Sequence, residues 1–428
     1  MTAAMVALMI ALLLLGFPMM IPLIGATLLG FYVFFPGMTP DIVIQQMIGG
    51  VKPTALIAVP MFIFAADIVT KGQAAQRLLD LVMSFVGHLR GGLAITSAAT
   101  CTLFGAVSGS TQATVVAIGG PLRPRMLRAG YSDKFVMALT INASDIAMLI
   151  PPSIAMIVYG VVSGASIGEL FIAGLGPGLL ILLMFSVYSY IYAKKNGIPV
   201  QDRSAWRTRL TALRRALMPL GFPAIIIGGI YGGIFTPTEA AAVCVLYALL
   251  LEVVIFRSVH WYEVPRIALS TGMITAVVFI LVAAGSAFSW TISFAQIPQQ
   301  ILGGLGLMEA GYYKILIILS IAYFVGCMFV DPIVVILVFT PIFAPVVQAA
   351  GIDPVLVGTI VTLQVAIGSA TPPFGCDIFT AIAAFRRPYF DVIRGTPPFI
   401  VMLLAVAAAL IVFPQIALFL RDLAFGYG

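Results

Sequence analysis

An all-α membrane protein with many crossings is the fold class that this sequence predicts. Three observations predict it. Of 428 residues, 61% are hydrophobic and 9% charged, where a soluble domain carries roughly 25% charge. The mean hydropathy is +1.14, and apolar runs recur along the whole chain with no polar stretch long enough to fold alone. The 41 glycines and 27 prolines lie inside those runs and not in linkers. Membrane helices tolerate them there because neighbouring helices re-satisfy the freed backbone groups.

The elements follow in order. The run 3–35 is too long for a signal-peptide core and has no basic residue before it, so it reads as a retained first membrane helix. The run 54–70 is short, lies between Lys52 and Lys71, and carries Pro60 at its middle. A short, proline-interrupted apolar segment reads as a re-entrant hairpin or a broken helix. The run 92–118 contains Val107-Ser108-Gly109-Ser110, and 135–163 contains Ile150-Pro151-Pro152-Ser153. After 168–193 comes the longest polar stretch, with Lys194, Lys195, Arg203, Arg207, Arg209, Arg214 and Arg215. Cytoplasmic loops carry such an excess, which places 194–215 inside. The runs 216–234 and 236–256 flank Thr236-Pro237-Thr238-Glu239, where Thr followed by Glu reads as a helix start. The run 268–296 exceeds one crossing and turns polar at Ser286, Ser289, Thr291, Ser293 and Gln296, which makes Gly285–Pro298 a second hairpin candidate. The run 312–350 holds Phe329-Val330-Asp331-Pro332. The run 355–384 holds Ala370-Thr371-Pro372-Pro373-Phe374-Gly375, and 396–420 closes the chain.

The basic stretch divides the chain into halves with a matching pattern. In each half a hairpin candidate precedes one break and then a Pro-Pro break. Gly109 to Pro151 is 42 residues, and Asp331 to Pro372 is 41. Interrupted helices at corresponding places in two halves are the sequence sign of an inverted-repeat carrier.

The breaks are where chemistry is expected. Unwound backbone at membrane depth presents free carbonyls, and nearby hydroxyls join them as hard ligands for a cation such as sodium. Ser108, Gly109 and Ser110 with the Pro151-Pro152 break offer one such site. Gly368, Ser369, Thr371 and Phe374 at the Pro372-Pro373 break offer a second. Each hydroxyl also has a plainer use, bonding back to its own helix or across to a neighbour. An ionisable group at membrane depth costs roughly 2.5–3.5 kcal/mol on insertion scales, which singles out Asp331, with Asp145 and Asp377 beside the Pro-Pro breaks. Asp67 and Asp377 fit the membrane surface equally well.

Other classes find little support. A nucleic-acid partner needs a basic face on a soluble module, and the net charge of +6 lies in loop clusters at Arg123–Lys134, Lys194–Arg215 and Arg386–Arg394. Cys101, Cys244, Cys327 and Cys376 are scattered in apolar runs and read as packing residues. Both histidines, His88 and His260, neighbour arginines at interfacial positions, so no Ser–His pair, cofactor site or metal spacing argues for an enzyme. An ion channel also uses broken helices, and conductance without added solute would favour it over a carrier.

At these motifs the sequence resembles the large membrane subunit of tripartite ATP-independent periplasmic (TRAP) transporters, the DctM-like family. The likeness runs from the first helix to the C-terminus. It is most specific at Val107–Gly120, Leu149–Gly160, Ile230–Ala242, Asp331–Pro345 and Gly368–Phe379. The resemblance implies a multi-pass protein of the bacterial inner membrane. It implies an ion-transporter-superfamily fold with two re-entrant hairpins and broken helices, and an elevator motion of a transport part against a scaffold. It implies sodium-driven symport of a small organic acid, a C4-dicarboxylate or related carboxylate. An extracytoplasmic binding protein delivers the solute, and a small membrane subunit, expected as a separate chain, completes the scaffold. No cofactor beyond the coupling ion is implied.

Residue by residue, Ser108, Gly109, Ser110, Ile150 and Pro151 resemble a first sodium site. Gly326, Gly368, Thr371 and Phe374 resemble a second. The substrate is expected against Ser110, Ser153, Asp331, Thr371 and Pro373, with the group that neutralises its carboxylate unidentified. Two departures stand out. Asn142–Ala147 carries Asp145 where the family has small uncharged residues, and Cys376 is unusual. The expected division is a scaffold region 1–50, a first repeat 51–193, the basic loop 194–215, scaffold helices 216–265, a second repeat 266–390 and a C-terminal helix 391–428. A stand-alone di- or tricarboxylate carrier of related fold is the other transport reading, favoured if this chain alone supports full uptake.

Overall fold

A computed structural model describes residues 2–304, 306, 307 and 309–426. Every regular element among them is helical. The first apolar run is two helices, α1 (Thr2–Leu14) and α2 (Met20–Phe34), and not one long helix. Gly16 takes a left-handed φ of +82° and Pro18 follows it, so the chain turns there. Gly25 then lies against Leu12 and Leu8, and Gly30 against Met5, as in an antiparallel pair.

Next come α3 (Asp41–Val51), a 3₁₀ turn Thr54–Ile57 running into α4 (Ala58–Lys71), and α5 (Ala74–Val86). The hairpin expected at 54–70 is not there. The segment is one unbroken 18-residue helical rod, apolar enough to cross a membrane. Pro60 lies in the first turn of α4, where a missing N–H leaves no helical bond unmade.

The helices α6 (Gly92–Ser108) and α7 (Thr111–Arg128) are joined by two residues. The two helices pack against each other, so the chain reverses between them. A bent helix follows: α8 (Asp133–Ser144), the short turn α9 (Ile146–Leu149), then α10 (Ile154–Ser163) at 43° beyond the Pro-Pro break. The chain continues through α11 (Ile167–Ala173), α12 (Leu175–Lys195) and α13 (Trp206–Ala216). Half of the expected basic loop is therefore helix. On α13, Arg209 is buried, with its guanidinium over Phe85 and near His88 Nδ1 at 3.4 Å.

Then come α14 (Gly221–Pro223), a π-helical stretch Ala224–Gly228, α15 (Gly229–Tyr231) and α16 (Pro237–Leu249). Thr236 caps α16 as expected. Its Oγ accepts from Glu239 N–H at 3.3 Å while Glu239 Oε2 accepts from Thr236 N–H at 2.8 Å. The helix α17 (Val264–Phe294) runs 31 residues without interruption, so the second expected hairpin, Gly285–Pro298, is also absent. Its polar residues are absorbed inside the helix packing. Thr291 donates to Ala287 C=O at 2.9 Å, and Ser286 sits where only the missing side chain of Gly50 leaves room.

After α18 (Ile297–Gly304) come a second closely joined helix pair and a second interrupted helix. The helices α19 (Tyr312–Cys327) and α20 (Pro332–Ala349) form a hairpin: Gly326 lies against Val335 and Phe339, and Tyr323 against Thr340 and Phe343. A broken helix follows as α21 (Pro354–Ser369) and α22 (Cys376–Phe385). The chain ends with α23 (Tyr389–Ile393), α24 (Pro397–Val412) and α25 (Gln415–Phe425), the last two bent by 58°. The two broken helices form the centre. Residues 135–144 of α8 and 355–369 of α21 are buried throughout. By contrast α16 and α17 expose Leu246, Leu269, Met273 and Val277, an apolar face suited to lipid or another membrane chain.

Candidate transport site

Each hairpin turn meets the break of its own half. Gly109 holds φ +59°, and a Cβ there would stand 2.1 Å from the Pro152 carbonyl oxygen. The first turn therefore touches the first Pro-Pro break through a glycine that admits no side chain. In the second half Phe374 N–H donates to Met328 C=O at 3.0 Å, and Gly368 packs on Cys327 and Phe324. Both Pro-Pro bonds, Pro151-Pro152 and Pro372-Pro373, are cis.

The turn hydroxyls have local partners. Ser108 Oγ pairs with Thr114 Oγ1 at 3.1 Å, and Thr114 donates to Ser110 C=O at 2.8 Å. Ser110 caps α7, accepting from Ala113 N–H, and Ser153 caps α10, accepting from Met156 N–H at 3.3 Å. Ile150 ends α9, its N–H on Ile146 C=O. Thr371 donates to Ile367 C=O at 2.6 Å, so its proton is spent on its own helix while its lone pairs remain. The Pro373 carbonyl accepts from the Tyr389 hydroxyl at 2.9 Å. Gly326 lies inside the α19–α20 packing, facing Phe339.

The halves are joined by a carboxylate. Asp377 is fully buried, not at a surface; its Oδ1 accepts from Thr111 Oγ1 and its Oδ2 from Ser369 Oγ, both at 2.7 Å. Thr111 belongs to the first turn and Ser369 to the second break, so this one side chain spans both halves. Sequence reasoning did not single out Thr111; its place directly after Ser-Gly-Ser was the available signal. Asp331 caps α20, accepting from Ile333 N–H at 2.9 Å, and is exposed beside two exposed rings, Phe329 and Phe374, whose centroids lie 6.0 Å apart. Asp67 is elsewhere, accepting from Thr271 to tie α4 to α17. Among the described residues, no hydrogen bond or ion pair joins Asp145, Asp331 or Asp377 to a basic side chain.

Four helix C-termini (α6, α9, α19, α21) and four N-termini (α7, α10, α20, α22) thus lie at the two turn–break contacts. Their partial charges suit a cation at the C-termini and an anionic group at the N-termini. The family model of the tripartite ATP-independent periplasmic transporter DctM component matches residues 6–416. This chain belongs to that family.

This TRAP large permease is 68% identical to the ectoine/5-hydroxyectoine TRAP transporter large permease protein UehC of Ruegeria pomeroyi, over 99% of the chain and 100% of the relative. It is equally 68% identical, with the same coverage, to the ectoine TRAP transporter large permease protein TeaC of Halomonas elongata. Identity to the C4-dicarboxylate TRAP transporter large permease protein DctM of Pseudomonas aeruginosa is 36% over 86% of each chain. The crystal structure of the Alcanivorax borkumensis YdaH transporter shares the fold, with a TM-score of 0.57 at 14% identity over 88% of this chain and 89% of that one. Family membership makes the protein a transporter subunit of the membrane and not an enzyme. It implies a small membrane subunit and a periplasmic binding protein as partners.

Proposed function

We propose that this permease imports ectoine or a close relative of it, driven by sodium, with its two partner subunits in the bacterial inner membrane. The full-length 68% identity to two ectoine permeases, set against 36% to a C4-dicarboxylate permease, carries the substrate reading. It replaces the dicarboxylate expected from sequence, and the site chemistry agrees. A dianion needs cationic partners, and the ionisable side chains at the turns and breaks are carboxylates, Asp331 and Asp377. Ectoine is a compact zwitterion, with a delocalised amidinium and one carboxylate. Asp331 suits the amidinium, and the Phe329–Phe374 pair offers ring faces to it. The carboxylate end suits the N-termini of α7 and α10, capped by Ser110 and Ser153, and Thr371 and Pro373 stand at the second break. Asp331, which would repel a dicarboxylate, so becomes a binding group.

Sodium coupling is supported by the paired C-termini at the Ser108–Gly109–Ile150–Pro151 and Gly326–Gly368–Thr371–Phe374 contacts, where carbonyl and hydroxyl oxygens gather and the Asp377 carboxylate links the first turn to the second break. The hairpins α6–α7 and α19–α20, with the two broken helices, form the natural moving part. The outward α16, within the expected scaffold helices 216–265, belongs to the scaffold. Within the expected repeats 51–193 and 266–390, the re-entrant hairpins are then 92–128 and 312–349.

The test is uptake of labelled ectoine into liposomes holding this chain and both partners. Uptake should need external sodium, should fail when either partner is withheld, and should be competed by unlabelled ectoine but not by succinate. Equal uptake in potassium alone would remove the coupling, and competition by succinate would return the dicarboxylate reading.

A further inference from the structure

Three carboxylates among the described residues are completely enclosed: Asp145, Glu252 and Asp377. Two are satisfied. Glu252 accepts from the N–H groups of Gln73 and Ala74 at 3.0 Å, capping α5, and Asp377 accepts from two hydroxyls. Asp145 is different, since neither of its oxygens has a partner. It lies between α8 and α9, at the negative end of α8. One turn earlier on the same face, Asn142 Oδ1 is also unpartnered, and its orientation is fixed because Nδ2 donates to Ala138 C=O at 2.8 Å. On α6, Thr100 Oγ1 is unpartnered, beside Cys101, whose thiol feels the Asp145 charge. On α21, which packs against α9, Gln364 Oε1 lacks a donor.

The titratable groups around Asp145 worsen its position. The charge that bears on it is Asp377, another carboxylate. A fully buried carboxylate with both oxygens unpartnered, within the field of a second carboxylate, needs a positive partner. A single proton on Asp145 would satisfy one acceptor and leave the other oxygens as they are. A cation ringed by oxygens satisfies several at once. One carboxylate with neutral amide and hydroxyl oxygens is a hard donor set of single charge, which suits a monovalent alkali ion.

We propose that Asp145 and Asn142 hold an additional sodium ion, on the first broken helix where it packs between α6 and α21, distinct from the two turn–break contacts. The inference rests on the sodium-coupled reading above. It predicts one more bound sodium per transport cycle than those two contacts supply.

Radioactive sodium binding to the purified chain in detergent tests it directly, alongside uptake in the complete three-component liposome. Wild type should bind one more sodium per chain than Asp145→Asn, and uptake by Asp145→Asn should depend less steeply on sodium. Asn142→Ala keeps the carboxylate and should raise the half-saturating sodium concentration several-fold. It also tests the site should Asp145→Asn not fold. Sodium binding and steepness equal to wild type in both variants would overturn the site. So would a changed pH dependence with unchanged sodium stoichiometry, which would make Asp145 a proton carrier. A wild type that binds no sodium would instead overturn the coupling reading itself.

Discussion

Gly109 has no room for even one methyl group. Its φ is left-handed, and the Pro152 carbonyl occupies the place of a Cβ. Gly109→Ala should therefore displace the first turn from the first break. The left-handed backbone alone costs roughly 1–2 kcal/mol for an L-residue, and every 1.4 kcal/mol is about tenfold in an equilibrium. The backbone cost alone corresponds to roughly 5–30-fold, and uptake should fall by about that factor, measured in liposomes at equal protein incorporation. Asp331 poses a different question, because it is exposed and caps α20 through Ile333. Asp331→Asn keeps a capping oxygen and removes the charge. Uptake should drop strongly with the melting temperature nearly unchanged, while Asp391→Asn, outside the turns, should transport normally. Equal transport by both variants would take Asp331 out of the site.

At the scale of elements, the hairpins are held by polar links inside apolar packing. In α19–α20 the Tyr323 hydroxyl meets Thr340 Oγ1 at 2.9 Å, both groups buried. Tyr323→Phe leaves Thr340 without that partner, and an unsatisfied buried hydroxyl costs about 1–3 kcal/mol. The variant should melt earlier in detergent while keeping its substrate preference, since neither group faces the Asp331–Phe374 region. The elements also show how the sequence misled. Pro60 and the polar run after Gly285 look like interruptions, yet proline is harmless in a first helical turn, and hydroxyls bond back to their own helix. The true turns, Gly109-Ser110 and Met328–Asp331, sit between ordinary apolar helices. A one-dimensional pattern marks a break in either case but does not say whether the chain reverses or continues.

Over the whole molecule, the halves meet at Asp377, which takes one hydroxyl from each. Asp377→Asn keeps a single accepting oxygen where two are used. Stability should fall by about 1–3 kcal/mol, and the sodium concentration for half-maximal uptake should rise, because the first turn and second break lose their common tie. A normal sodium dependence in a correctly folded variant would show that the halves bind their ions independently.

The sequence by itself determined the membrane class and the four interrupted places near Ser108, Pro151, Asp331 and Pro372. These are local properties: hydropathy, proline chemistry and spacing along one chain. Only the tertiary structure decided which interruptions are hairpin turns, that each turn rests on the break of its own half, and that Asp377 is buried between halves while Asp145 has no partner. Those facts depend on which residues from distant helices share one volume. Hydroxyl and carboxylate partners 266 residues apart, such as Thr111 and Asp377, leave no periodic trace in a sequence.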